Sequence, residues 1–205
     1  MEQSNAVKNF FFLFLILVFV AGCGSSMSVQ RTAADTQTDL SGYWNDTDSR
    51  LVAEEMIRDM ISRPWLSNFT SENGQAPKVI VGRIRLRDAS EHIKTNAFIK
   101  DIERELINSG KVQFVASAEQ REEIRSERMD QQQYASEETA KRVAQEQAAD
   151  YMLQGYITMF VDQAGGEQAK FYQVDLELID VESNQKVWIG TKKIKKLINQ
   201  KKVGW

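Results

Sequence analysis

The sequence predicts a single α+β (mixed α/β) domain, in which about four helices flank one sheet that ends in an antiparallel meander. Two observations support this class. Helical and strand-like patterns alternate through the middle of the chain, and the final third contains three consecutive strand patterns joined by two turns. The only cysteine is at position 23 and there are two prolines, so packing rather than disulfide bonds must hold the core.

Four segments have helical patterns. The first follows capping residues near Thr47 and ends at Pro64, the second starts at Thr95, and the third covers Glu119–Met129. That third segment is almost entirely polar, which indicates a surface helix. The fourth starts after Ser136, with small apolar residues facing inward. After Pro64 the sequence predicts an apolar plug formed by Trp65, Leu66 and Phe69, followed by a polar loop at Thr70–Pro77.

Five segments have strand patterns. The first begins with apolar residues on both faces and ends in alternation, and the last three form two consecutive hairpins. In chain order the predicted strands are Val79–Leu86, Val112–Val115, Tyr151–Val161, Phe171–Val181 and Lys186–Ile194.

The N-terminal segment predicts export and lipid anchoring. Its apolar run, 10–22, is too short to span a bilayer and ends in small residues, as secretory signals do. The stretch Val20-Ala21-Gly22-Cys23 resembles the lipobox of bacterial lipoproteins. The resemblance implies that residues 1–22 are a signal peptide and that Cys23 is acylated. Gly24 then favours the outer membrane, because in well-studied Gram-negative systems an Asp at that position favours inner-membrane retention.

After the acylated cysteine, the composition predicts two regions. Residues 23–39 are rich in Ser, Thr and Gln and read as a flexible tether, and 40–205 as one globular domain. The chain carries 26 basic and 29 acidic side chains, a net charge of −3. This balance argues against a nucleic-acid-binding protein, which needs a strongly basic face.

No residue pattern indicates catalysis, a metal or a cofactor. His92 is the only histidine, and although Asp88 and Glu91 are near it in sequence, the spacing matches no common metal-binding pattern. Asp175 and Glu177 share one side of a strand, as the paired carboxylates of glycosidases could, but alternation on a half-exposed strand explains them better. We therefore predict a protein that is not an enzyme and has no cofactor and no small-molecule substrate.

Surface charge provides the candidate binding residues. Arg83, Arg85 and Arg87, here called the arginine stripe, recur at alternate positions of a strand and so face one way. They can be read as a partner-docking edge or as the solvated end of a strand. The lysine-rich stretch 186–202 and the acidic stretch 119–138 can likewise orient a partner or lie on two solvated faces.

Several segments together resemble the LpoB-type family of penicillin-binding protein activators. They are Asp39–Val52, Arg63–Leu66, Leu106–Lys111, Ala149–Gly155 and Leu178–Trp188. The strand segments are also similar to TolB N-terminal-like and CsgG-like periplasmic domains, which leaves an assembly or export lipoprotein as the alternative function.

The resemblance implies a TolB N-terminal-like fold and a lipoprotein of the outer membrane whose domain lies in the periplasm. It also implies that this domain binds a class A (bifunctional) penicillin-binding protein and stimulates its peptidoglycan synthesis, with no active site of its own. The best-known members have a long, Pro-rich tether, whereas the tether here is short and has no proline.

Overall fold

The structure, a computed structural model, describes residues 28–33, 36–134, 148–164 and 166–199. Contacts between residues divide the chain into two compact units, Met1–Thr36 and Gln37–Trp205. The described part of the first unit, 28–33 and 36, contains no helix or strand. All described helices and strands therefore belong to the second unit.

The described residues form four helices and one five-stranded sheet. In chain order the elements are α1 (Asp46–Ile61), α2 (Pro64–Asn73), β1 (Lys78–Arg87), α3 (Thr95–Asn108), β2 (Gln113–Phe114), α4 (Ala118–Tyr134), β3 (Tyr151–Ala164), β4 (Glu167–Asp180) and β5 (Lys186–Asn199). The strand order is β2-β1-β3-β4-β5. β1 is parallel to β2 and β3, whereas β3, β4 and β5 are antiparallel. The predicted α+β class and C-terminal meander are confirmed.

Two predictions about the helices need comment. The Asn45 side chain caps α1 in a capping box with Asp48, so the capping residues predicted near Thr47 lie in the first turn of the helix instead. α1 ends before Pro64 as expected. Pro64 is then the first residue of α2, where its missing N–H costs nothing. This helix was not predicted, and because it continues to Asn73, the loop predicted at Thr70–Pro77 is wrong over its first four residues. The helix predicted after Ser136 lies outside the described residues. None of the described helices is both long and apolar enough to cross a membrane.

The core lies on one side of the sheet, under α1 and α3. The most deeply buried side chains come from these two helices and from the inner face of β3 and β4, and include Ile57, Phe98, Ile102, Leu153, Ile157, Leu176 and Leu178. At one end, Trp65 and Phe69 of α2 pack edge-to-face against Tyr151 at the start of β3. α2 thereby closes the end of the core at which β3 begins.

Gly155 is a position in β3 where the sheet tolerates no side chain. An ideal Cβ there would lie 2.1 Å from the main-chain oxygen of Asp175 and 2.6 Å from Leu176 Cδ2. We expect Gly155→Ala to lower the free energy of unfolding by about 3 kcal/mol, because backbone must move to admit the methyl group. At Gly82, the atom nearest to an ideal Cβ is Sδ of the flexible Met152 side chain, at 3.1 Å. Chemical denaturation should therefore show a much smaller loss for Gly82→Ala, and equal losses would contradict this account.

Candidate functional site

The arginine stripe lies on the side of the sheet away from the core because β1 contains a bulge. Val79 and Val81 belong to the core, and strict alternation from them would turn the stripe inward as well. The pairing of β1 with β3 instead shifts register between Val81 and Ile84, which brings Ile84 into the core and leaves all three arginines exposed. One extra residue in β1 therefore determines where the stripe points.

The stripe has few partners within the domain. The Arg87 guanidinium lies 3.5 Å from the centroid of the Tyr156 ring, which is on the neighbouring strand β3. Arg83 and Arg85 have no hydrogen-bonded or ion-paired partner among the described residues. Alternate residues of a strand are about 7 Å apart, so the three like charges repel one another. The stripe is thus an unneutralised cationic surface whose planar guanidinium groups suit carboxylate ligands.

The lysines of β5 are largely neutralised by the domain itself. Lys186 pairs with Glu177, Lys192 with Glu55, and Lys196 with Asp39 and Asp48. Lys193 and Lys195 have no ion-pair partner in the described part of the chain. Trp188, on the same strand, is buried and its indole N–H donates to Asp59 at 2.9 Å. Unpaired positive charge therefore lies on both strands, but on β1 none of the three arginines is ion-paired in the described part of the chain, whereas on β5 three of the five lysines are.

The structure places the candidate carboxylates and the histidine in different surroundings. No three His, Cys, Asp or Glu side chains of the described residues group as a metal site, so Asp88, Glu91 and His92 do not form one. His92 is exposed, whereas Glu91 turns into the interior. Asp175 accepts hydrogen bonds from Thr191 and Gln173. Both partners of Asp175 thus lie within the sheet, on β4 and β5.

A buried polar cluster fixes the start of the domain to the sheet. We call its members Gly42, Trp44, Glu91, Lys170 and Tyr172 the tether clamp. Glu91 accepts the Trp44 backbone N–H at 2.9 Å and the Lys170 ammonium at 2.8 Å. The Tyr172 hydroxyl lies 2.8 Å from Glu91 and 2.9 Å from the Gly42 carbonyl oxygen. The chain that follows the tether is therefore held on β4.

Electrostatics stabilise the charged clamp. Burial alone would raise the pKa of Glu91, but the hydrogen bonds from Lys170, the Trp44 backbone and Tyr172 outweigh it and lower this pKa below its usual value. Burial, with the neighbouring Glu91 carboxylate, raises the pKa of Tyr172, which keeps its hydroxyl protonated. Glu91 is thus an ionised carboxylate surrounded by donors.

A second contact set lies beside the clamp. The Lys196 ammonium donates to Asp48 at 2.6 Å, to Asp39 at 2.8 Å and to the Tyr43 carbonyl oxygen at 2.9 Å. Burial would lower the pKa of Lys196, but the two carboxylates raise it. Both sets join the first residues of the domain to strands about 130 or more residues later. Local sequence patterns carry no signal for contacts of that separation, and sequence reasoning missed them.

The comparisons with known proteins identify the family. The family profile described as "Peptidoglycan-synthase activator LpoB" matches residues 48–194. No curated protein sequence matches the chain. Among solved structures, the Escherichia coli LpoB C-terminal domain is 17% identical, with a TM-score of 0.36 and coverage of 65% of this chain and 94% of that one.

Two further solved structures have similar scores. The LpoB C-terminal domain of Salmonella enterica is 17% identical, with a TM-score of 0.32 and coverage of 67% and 94%. The lipoprotein GNA1162 of Neisseria meningitidis is 14% identical, with a TM-score of 0.38 and coverage of 63% and 88%. The assignment rests on the family profile, which spans most of the folded unit. The chain therefore belongs to the family of peptidoglycan-synthase activators described as LpoB.

Proposed function

We propose that this protein is a non-catalytic lipoprotein that binds a class A penicillin-binding protein and stimulates its synthesis of peptidoglycan. Cys23 carries the lipid that anchors it in the outer membrane, and the domain lies in the periplasm. The observation that supports this most strongly is the family match across residues 48–194. Stimulation requires that the protein bind the active conformation of the synthase more tightly than the resting one.

The arginine stripe is the docking surface that the geometry favours. Its side chains are exposed, and Arg83 and Arg85 are unpaired among the described residues. The Tyr156 ring holds the third guanidinium in place before a partner arrives. An acidic patch on the synthase would relieve the repulsion between the three arginines. Each of its carboxylates could also accept two hydrogen bonds from one guanidinium group. The partner surface should therefore carry carboxylates at a matching spacing.

A polymerisation assay tests the function itself. The purified protein is added to a class A synthase from the same organism, with lipid II as substrate. We expect the glycan chains to form faster with the protein than without it, and no product when the protein is incubated with lipid II alone. Binding to the synthase without any change in rate would rule out activation, and turnover by the protein alone would show that it is an enzyme.

Charge reversal tests the docking surface. We expect Arg83→Glu combined with Arg85→Glu to weaken binding to the synthase at least about tenfold, or about 1.4 kcal/mol, as measured by calorimetry. The free energy of unfolding should change by no more than about 0.5 kcal/mol per substitution, because both side chains are exposed.

Arg58 and Lys111 provide the matched control. Both are exposed and neither has an ion-pair partner in the described part of the chain. Arg58→Glu combined with Lys111→Glu makes the same change in net charge away from β1 and should leave the affinity within about twofold of wild type. If both double variants weaken binding equally, the effect belongs to net charge and not to the stripe.

A further inference from the structure

The exposed apolar side chains of the described residues include a group at one end of the sheet. Five of them, here called the tip surface, leave much of their area in solvent: Leu40 at 94%, Tyr43 at 57%, Phe160 at 53%, Val161 at 45% and Leu197 at 73%. Single exposed apolar residues are ordinary, but a group of them marks an interaction surface.

Strand pairing and packing place these residues at one end of the sheet, Phe160 and Leu197 on its outer face and Val161 and Tyr43 on the face that carries the core. Phe160 pairs with Phe171, which pairs with Lys195, and two residues further along β5 is Leu197. The Lys170 ammonium lies 3.5 Å from the centroid of the Tyr43 ring, and Lys170 pairs with Val161. The tip surface is therefore the end of the sheet at which β3 turns into β4, together with the first residues of the domain.

The tether enters the domain at this same end. The clamp fixes Gly42 to Tyr172, and Gly42 packs so closely on Ile198 that an added Cβ would lie 2.0 Å from its Cδ1. Residues 24–36 are the only chain between Cys23 and the folded unit, which starts at Gln37. Thirteen residues span at most about 47 Å even when fully extended. An acyl chain on Cys23 would therefore keep the start of the folded unit, and with it the tip surface, within reach of a bilayer.

We propose that the tip surface lies against the lipid bilayer in which Cys23 is anchored; the proposal rests on the lipidation proposed above. Aromatic and aliphatic side chains such as Tyr43, Phe160 and Leu197 enter the interfacial zone of a bilayer, and each needs to insert only a few ångströms. The contact adds a second attachment to the lipid anchor and orients the domain.

The charge around the tip surface indicates what drives this contact. Lys193 and Lys195 are exposed nearby, but so are Asp162 and Glu167. Two positive and two negative side chains nearly cancel, so apolar insertion is the main contribution. The contact should therefore persist at high salt, unlike binding by a basic patch to anionic lipids.

Site-specific fluorescence on the acylated protein tests the proposal. Because Cys23 is the only cysteine and acylation blocks it, a cysteine introduced elsewhere is the sole free thiol. Leu197→Cys is labelled with an environment-sensitive dye and reconstituted in phosphatidylethanolamine and phosphatidylglycerol vesicles with nitroxide-labelled lipid. Ile189→Cys is the control, since Ile189 is 64% exposed on the same strand, about 27 Å away along β5.

We expect the nitroxide lipid to quench the dye at position 197 at least twice as strongly as at 189, at both low and high salt. Phe160→Ser should at least halve the quenching at 197. Equal quenching at the two positions would overturn the proposal. A second result would also overturn the proposal. If the dye at position 197 is shielded from water only at high protein density, and the nitroxide lipid does not quench it, a second copy of the chain covers the surface. Intact mass detects a chain without acyl groups, so failure of the anchor is distinguishable from failure of the tip contact.

Discussion

Glu91→Gln is expected to lower the free energy of unfolding by about 3–5 kcal/mol, the usual cost of removing one member of a buried ion pair. The Glu91 and Lys170 side chains are only 6% and 8% exposed. The substitution leaves the Lys170 ammonium buried without its counter-charge and weakens the acceptor for Trp44 and Tyr172. Chemical denaturation at pH 7 measures the loss.

The pH dependence separates this charge effect from a packing defect. The pKa of Glu91 is lower in the folded protein than its usual value of 4.5, so its contribution is complete above that value and is lost as pH falls through the folded pKa. The stability of wild type and variant should therefore converge as pH falls below 4.5 towards the acid limit of folding. Glu122→Gln, at a side chain 76% exposed, is the control and should cost under about 1 kcal/mol. A wild-type advantage that stays constant down to low pH would contradict the role of the charge.

Cys23→Ser is expected to abolish acylation completely, because the chain has no other thiol. Cells fed an alkyne-bearing palmitate should show labelled wild-type protein and no labelled variant. The variant should also leave the membrane fraction, since stable anchoring needs more than the apolar contacts of a folded domain. Ser26→Ala, three residues away, should be labelled like wild type. Equal labelling of the Cys23 variant and wild type would show that the lipid is attached elsewhere or absent.

Local patterns were enough to predict most elements of the sheet and two of its supporting helices. The period-2 pattern of β3 and β4 and the periodic apolar residues of α1 are visible because each element buries one face. α2 was missed because a proline that ends one helix also starts the next, and composition alone cannot distinguish the two roles.

The candidate site was less predictable, for a physical reason. The position of the arginine stripe depends on the shift in register between Val81 and Ile84, which follows from pairing with a strand about 70 residues later. The clamp joins Trp44 to Glu91 and Glu91 to Lys170, contacts that no window of the sequence contains. Sequence reasoning could propose the three arginines as a group, but what surrounds them and what holds the tether required the folded chain.

The tether clamp also determines how the domain carries mechanical load. If the protein is anchored and docked as proposed, a pull between anchor and synthase would first reach Asp39, which is bound to Lys196 of β5, and then the clamp at Gly42, both before α1 begins at Asp46. The hydrogen bonds of Tyr172 and Glu91 pass that force to β4, which is paired on both of its edges. While these contacts hold, the force enters the sheet through β4 and β5 before the chain continues into α1.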